Sequence, residues 1–333
     1  MKTINYIFRK QLEGAISIEK LFGIIIKNVS SDFEKKILVN PHPLNPIGVL
    51  KSIFFFVRKK ADINHITGDI HWLAIFLNPT HTILTIHDLV GYHKYHGIVK
   101  FIYFAFWIYL PIRRVKYITV ISEKTKKEIT NLLPWAEKKI TVIPNCVTIE
   151  SYQKASILGN EIPKILTIGT LPNKNLERVI EATEGLSVEL NIVGKLTQNQ
   201  EQLLRNKNIL YKNYYNIPEE QLVSLYRNAD ILCFPSTYEG FGLPILEGQA
   251  NDCAVITSDL YPMKEVAADG AILIDPYNAN AIKKAILTII ENKELTQKLI
   301  DKGRENVKKY TVENIVNQYQ NLYYKILKTK SSC

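Results

Sequence analysis

The stretch DILCFPSTYEGFGLPILEGQA, Asp230 to Ala250, decides the fold. Its first residues, DILCFPS, form a short apolar run that ends at a proline, the pattern of a buried strand. Leu243-Pro244 then reads as a helix start, because proline is favoured at the first helical position, where its missing N–H costs nothing. Between them Thr237 to Gly242 forms the loop beyond the strand's carboxyl edge. A strand, a loop and a helix in that order make half of a parallel α/β unit. Gly240 and Gly242 let the backbone turn sharply and approach a ligand closely. The free amides of the first helical turn, with the positive end of the helix dipole, form an anion site suited to phosphate.

The same alternation extends outward in both directions. In the first half, strands are expected at INYIF, KILVN, DINHI, TILTIHD, YITVIS and ITVIPN, with helices such as SIEKLFGIIIK and SEKTKKEITNLL between them. The second half repeats the scheme with KILTIGT, ELNIVGK, ILYKN, DILCFPS, AVITSD and AILID. Such regular alternation predicts two parallel sheets, each covered on both faces. The polar segment SYQKASILGNEIP, Ser151 to Pro163, reads as the linker between them, and the chain after Asp275 reads as mostly helical. At 333 residues the chain exceeds one ordinary core, which fits two domains. Two doubly wound domains would leave a cleft, and ligands of such sheets bind beyond the carboxyl ends of the strands.

Charge divides the chain as sharply as the pattern unites it. Residues 1 to 160 hold 22 Lys+Arg against 11 Asp+Glu and all seven histidines, whereas residues 161 to 333 hold 20 against 21. A basic half suits anionic lipid headgroups, nucleic acid or acidic substrates. The four cysteines, Cys146, Cys233, Cys253 and Cys333, include no CxxC pair, which argues against a disulfide framework and a zinc site and fits a reducing cytoplasm. No signal peptide is expected from MKTINYIFRKQLEGAISIEK, and the apolar run from Phe101 to Ile112 is far short of the roughly 20 residues that span a bilayer.

Glu239 and Glu247 lie on either side of the glycine loop. On one continuous helix they would stand about 12 Å apart along the axis and about 80° apart around it. With the loop between them they can grip two ends of one ligand instead. A carboxylate accepts hydrogen bonds from neighbouring hydroxyls, so sugar and ribose diols are natural partners. The competing reading leaves Glu239 solvated and gives Glu247 only the helix dipole to complement.

FPSTYEGFGLPILE resembles the E-x7-E signature of the family 4 retaining glycosyltransferases of GT-B fold, the group 1 glycosyl transferases. The likeness continues in ILTIGTLPNKNLERVIEA, LNIVGK, IPEEQLVSLYRNADILCFPS and SDLYPMKEVAADGAILIDP, and more thinly in TIHD, VISEKTKKEI and VIPN of the first half. It implies two Rossmann-like, doubly wound α/β domains facing across a cleft. The acceptor-binding domain would be residues 1–155 and the nucleotide-sugar donor domain 160–310, with a C-terminal helix, 311–333, returning to the first. The resemblance further implies that Glu239 meets hydroxyls of the donor sugar, that Glu247 binds the ribose, and that amides around Gly240, Phe241, Gly242 and Leu243 hold the diphosphate. Lys174, after the Gly169-Thr170 loop, matches the phosphate-binding lysine; the competing reading is a solvated lysine after a turn. His87, in TIHD, matches the acceptor-domain histidine that faces the reacting sugar. His87, Glu239 and Lys174 are thus the implied catalytic set.

Several positions depart from the family pattern. Thr170 stands where arginine is frequent, leaving Lys174 to carry the charge. Cys146 replaces the glycine of the usual PNG run, and Asp252 and Ala254 replace a frequent glycine and proline. The first βα loop, residues 9 to 17, lacks the common glycine pair. Retention implies a protein nucleophile or same-face attack guided by the leaving phosphate. The motifs offer no nucleophile, which favours the second. With no DxD in the chain, neither an obligatory metal nor a cofactor is expected; the nucleotide sugar is a substrate.

His87, Asp88, His93 and His96 fall within ten residues, but they lack HExxH spacing and nearby cysteines, so a metal site is disfavoured. KFIYFAFWIYLPIRR reads first as a buried helix, because apolar residues occur around its whole circumference. Its second reading is a helix facing an anionic membrane beside a lipid-linked acceptor. The sequence-level expectation is therefore a cytoplasmic glycosyltransferase of bacterial surface polysaccharide or lipopolysaccharide synthesis, with peripheral contact at the inner face of the membrane. A sugar-nucleotide-binding subunit without activity and a basic nucleic-acid-binding protein are the alternatives. The second lacks a recognised binding module. A nicotinamide dehydrogenase is disfavoured by the absence of GxGxxG after either first strand.

Overall fold

A computed structural model describes residues 1–10, 17–156 and 158–328. Within them the chain forms two compact units, one of the described residues up to 146 with 312–328 and the other of those from 147 to 311. The first contains β1 (Lys2–Phe8), β2 (Phe33–Val39), β3 (Ile63–Ile66), β4 (Thr82–Ile86), β5 (Tyr117–Val120) and β6 (Ile140–Val142). The second contains β7 (Lys164–Ile168), β8 (Glu189–Val193), β9 (Tyr211–Tyr214), β10 (Ile231–Phe234), β11 (Ala254–Ser258) and β12 (Ala271–Ile274). Every pairing is parallel. Each of the twelve strand runs expected from the sequence falls on one of these strands. The first βα loop, whose missing glycine pair stood out in the sequence, lies largely outside the described residues, since 11–16 are not among them.

Strand order explains where a ligand belongs in each unit. The first sheet runs β2-β1-β3-β4-β5-β6 and the second β12-β11-β10-β7-β8-β9. In the second sheet the winding reverses between β7 and β10, and in the first between β1 and β3. Loops leaving those strands at their carboxyl ends splay apart and open a crevice. The central strands β3, β4, β5, β10 and β11 are buried throughout, as expected of strands covered on both faces.

The helix Val312–Lys328 belongs to the first unit because of its apolar face. Ile315, Val316, Tyr319, Leu322, Tyr323 and Ile326 are buried, and they share one core with Phe22, Ile25 and Phe33. Cys146 lies in the same core, where burial pushes its thiol up to about 11. The residue that replaces a glycine of the family pattern is therefore a small packing group. The described part of the polar segment after Glu150 is strapped to the second unit. Tyr152 N–H donates to the Ala250 carbonyl at 2.8 Å and Lys154 N–H to Asp252 at 2.8 Å. Asp252 adopts a φ of 54°, the left-handed region where the family pattern has glycine, and the Arg304 guanidinium grips its carboxylate at 2.8 and 2.7 Å.

His65 sits at the centre of the first unit, fully buried, with Nδ1 2.9 Å from the Tyr323 hydroxyl and Nε2 2.7 Å from the Thr85 hydroxyl. Burial holds its imidazole down at about 3. An unfolded histidine takes its proton near pH 6.5, which the folded one refuses until near pH 3, so this group's contribution to stability is present above pH 6.5 and is lost as pH falls. The loss has a limiting slope of about 1.4 kcal/mol per pH unit. Urea unfolding at pH 7 and pH 5 is expected to show that decline, and His65→Gln to flatten it.

The segment expected to be a buried helix at KFIYFAFWIYLPIRR is corrected by the structure. A helix covers Gly97–Tyr103, wider π-type turns cover Phe104–Tyr109, and a last helical turn covers Leu110–Arg114. Ile108, Pro111 and Ile112 are buried, whereas Phe101, Ile102 and Phe106 are exposed. An apolar circumference therefore does not mean burial on all sides here. Among the described residues, no helix is long and apolar enough to cross a membrane.

Candidate functional site

The switch point of the second sheet brings together two loops far apart in sequence. Beyond β7 the chain passes Gly169 and Thr170 into a 3₁₀ turn, Pro172–Lys174, and beyond β10 it passes Pro235 to Gly242 into the helix Leu243–Ala250. Asparagines bind the loops together. Asn173 Nδ2 donates to the Tyr238 carbonyl at 2.9 Å, and the Thr237 amide donates to the Asn173 carbonyl at 2.8 Å. Asn175, buried at a φ of 63°, donates to the carbonyls of Pro235 and Pro276 at 3.0 and 2.6 Å.

This stitching places Lys174 Nζ 2.6 Å from Glu239 Oε1, with both side chains largely buried, and 5.0 Å above the Phe234 ring. Gly169 makes room for the lysine. A β-carbon there would come within 2.7 Å of Lys174 Cγ, and its φ of 93° suits glycine. Thr170 turns away from the pair, its hydroxyl donating to the Lys195 carbonyl at 2.7 Å, and Gln200 holds its carbonyl at 2.9 Å. Lys174 is thus the cation that this loop directs at Glu239.

Gly242 adopts a φ of 106° and forms the N-cap of the helix Leu243–Ala250, with no side chain capping the first turn. Gly240, Phe241, Gly242 and Leu243 thus lead from Glu239 into the positive end of that helix. The Phe241 side chain points away into the core, edge-on to Tyr310 at 6.0 Å. Its ring is therefore a packing group.

Glu247, one turn along the helix, has a partner the sequence reading missed. The Tyr226 hydroxyl donates to Glu247 Oε2 at 2.7 Å, and Tyr226 is fully buried. Burial first, and the Glu247 charge second, raise the phenol well above its ordinary value, so it stays a donor. Tyr226 lies within the stretch that carried the likeness, LYRNAD, but nothing in that string shows that its hydroxyl reaches a residue 21 positions on.

His87 follows β4 in the first unit. Its Nε2–H donates to the Thr67 carbonyl, which follows β3, at 2.9 Å. Nδ1 is then the acceptor of the neutral ring. Burial pushes the imidazole below its ordinary value and favours that neutral form. His93 and His96 are exposed. Among the described residues no group of three or more His, Cys, Asp or Glu side chains is gathered as a metal site would be.

Comparison with known proteins agrees along most of the chain. Residues 149–306 match the model of the family described as glycosyl transferases group 1, and residues 27–151 match that of glycosyltransferase family 4. The O-antigen chain mannosyltransferase RfbU of Salmonella typhimurium is 25% identical over 253 residues, covering 74% of this chain and 69% of that protein. The O-antigen chain mannosyltransferase B of Escherichia coli is 26% identical over 270 residues, covering 72% and 69%. Among solved structures, Anabaena HepE in complex with UDP and glucose superposes with a TM-score of 0.77 at 14% identity, covering 98% of this chain and 100% of that one.

Proposed function

This chain belongs to the family 4 glycosyltransferases and has their GT-B fold of two Rossmann-like domains, and from that premise we propose the reaction it performs. It transfers a sugar, with retention of configuration, from a nucleotide-sugar donor to a hydroxyl of a glycan or lipid-linked acceptor in bacterial surface polysaccharide or lipopolysaccharide synthesis. The observation that carries this reading is the Lys174–Glu239 pair, seated at the switch point of the second sheet beside the open first turn of the helix Leu243–Ala250. Relatives that act on O-antigen chains, and a structural neighbour holding UDP and glucose, support it.

The residues divide the donor between them. The Lys174 ammonium and the amides from Gly240 to Leu243 take the diphosphate, Glu239 the sugar hydroxyls and Glu247 the ribose diol. As the bond from the anomeric carbon to the diphosphate oxygen breaks, charge develops on the leaving phosphate, and a fixed cation there stabilises the transition state more than the ground state. The acceptor oxygen bonds to the same face of the anomeric carbon, and its proton passes to the leaving phosphate. His87, in the neutral form with Nδ1 as acceptor, takes a hydrogen bond from a sugar hydroxyl. Neither a metal ion nor a cofactor is assigned a part.

Two measurements test this. Product NMR is expected to show the donor's anomeric configuration retained, and turnover is expected to persist in EDTA. An inverted product would overturn the same-face step. Donor binding without transfer to any acceptor would favour a sugar-nucleotide-binding subunit instead.

Tyr226 gives a separate prediction. Tyr226→Phe removes the donor hydroxyl that fixes Glu247 but keeps the ring, so the donor KM is expected to rise about 5- to 10-fold, equivalent to one hydrogen bond of about 1–1.5 kcal/mol. With kcat nearly unchanged, that split would separate positioning of the ribose carboxylate from general loss of structure.

A further inference from the structure

The proposed diphosphate site is short of positive charge. Lys174 is neutralised by Glu239 at 2.6 Å. The first turn of the helix Leu243–Ala250 supplies about half an elementary charge. Each phosphate of a nucleoside diphosphate ester brings a full negative charge, and departure of the sugar adds another. The six loops that lead from the strands β7 to β12 into the helices after them hold, besides Lys174, a single Lys or Arg, which is Lys195. Two cations on the neighbouring helices are already engaged. Lys264 is held by Asp259 at 2.9 Å, and Arg178 donates to Asn175 Oδ1 at 2.7 Å and lies over the Tyr277 ring.

The fold anchors Lys195 beside the turn that carries Lys174. The Gly169 amide donates to the Val193 carbonyl at 2.7 Å, extending the ladder of β7 and β8 to the point where both loops begin. Gly194 then adopts a φ of 142°, and a β-carbon there would come within 2.8 Å of Thr170 Cγ2. The Thr170 hydroxyl donates to the Lys195 carbonyl at 2.7 Å. Gln200, buried, closes the other side: its Nε2 donates to the Thr170 carbonyl at 2.9 Å, and its Oε1 accepts from the Thr197 amide at 3.0 Å. Gly169 thus carries the stem of Lys174 against its backbone, and Thr170 holds the backbone of Lys195. The Lys195 side chain itself is exposed and has no hydrogen-bond or ion-pair partner among the described residues.

We propose that Lys195 is a second diphosphate-binding cation of the donor site, an inference that rests on the donor-site reading above. The two lysines divide the work by the way each is held. Lys174, fixed against Glu239, meets the charge that develops as the bond to the sugar breaks. Lys195, clamped by its backbone alone and free along its flexible stem, closes on the diphosphate when the nucleotide binds and stays with it through transfer. A contact made equally in the ground state and the transition state changes donor affinity and KM but not kcat. A lysine that serves only the solvated surface would move neither.

Calorimetric titration of the full chain with UDP, GDP, ADP and dTDP tests this, the nucleotide that binds wild type best serving as the probe. Lys195→Met keeps the stem and removes the charge. Its Kd is expected about tenfold above that of wild type, the low end for a charge-assisted contact at an exposed site, and to rise less steeply with salt. Lys195→Arg is expected to restore affinity to within about threefold of wild type, and the unfolding midpoint without ligand to stay the same in both variants. Affinity and salt dependence of Lys195→Met equal to those of wild type, with binding lost in Glu247→Ala, would overturn this inference and leave the donor-site reading standing. Binding of none of the four nucleotides to wild type would overturn both. A loss in Lys195→Met that Lys195→Arg does not restore, together with a lowered midpoint, would give the residue a structural part and overturn the inference as well.

Discussion

Lys174→Ala is expected to lower kcat about 100- to 1,000-fold at saturating donor, the usual loss when one preorganised group that meets developing charge is removed. The geometry supports an effect on the chemical step. The ammonium is held by a turn that Asn173 and Asn175 lock to the neighbouring loop, and it approaches Glu239 through space that only glycine at 169 leaves open. A cation so fixed needs little reorganisation when the diphosphate departs. Free solvent-facing lysines offer no such advantage. Lys174→Ala should therefore change kcat more than donor KM, and a loss below about tenfold would contradict the role proposed for it at the leaving phosphate.

Glu247→Ala is expected to act on the other term. A carboxylate that accepts from two ribose hydroxyls contributes charge-assisted hydrogen bonds of about 1.5–3 kcal/mol each, so a donor KM or Kd raised about 100-fold is a conservative expectation. The change should fall mainly on binding, because the ribose does not alter during transfer. Glu247→Ala also leaves the Tyr226 hydroxyl without the carboxylate at 2.7 Å, and Tyr226→Phe alone should give a smaller effect in the same direction. The two substitutions share one partner pair, so their effects should not add.

The strands were legible because buried β-branched runs leave a plain signal, and the glycine-proline loop marked the start of the helix Leu243–Ala250. Their order was not. Lys174 and Glu239 are 65 positions apart, and only the reversal of winding between β7 and β10 brings the two loops together. Nor can a string of letters show that Gly169 clears the path of a lysine side chain, or that a tyrosine before β10 holds the carboxylate of the following helix. Cys146 and Asp252 stood out as departures from a pattern. The structure gives each a local physical role, a buried packing group and a left-handed residue clamped by Arg304.

Apolar periodicity was the least faithful guide in the first unit. It marks which side chains avoid water in a helix but not which of two apolar faces the fold covers. Pro46–Val57 and Gly97–Arg114 both carry more apolar surface than their packing uses, and the sequence reading assigned burial to the second of them. Exposure of Phe54 and Phe101 could be seen only once the sheet face and its core were in place.

Thermal unfolding with a panel of nucleotide sugars tests the central claim most directly, since a ligand that binds the native state raises the midpoint by mass action. At least one nucleotide sugar is predicted to stabilise the wild-type chain and to lose that effect in Glu247→Ala. Failure of every donor in the panel to shift the wild-type midpoint, or an equal shift in Glu247→Ala, would contradict the account.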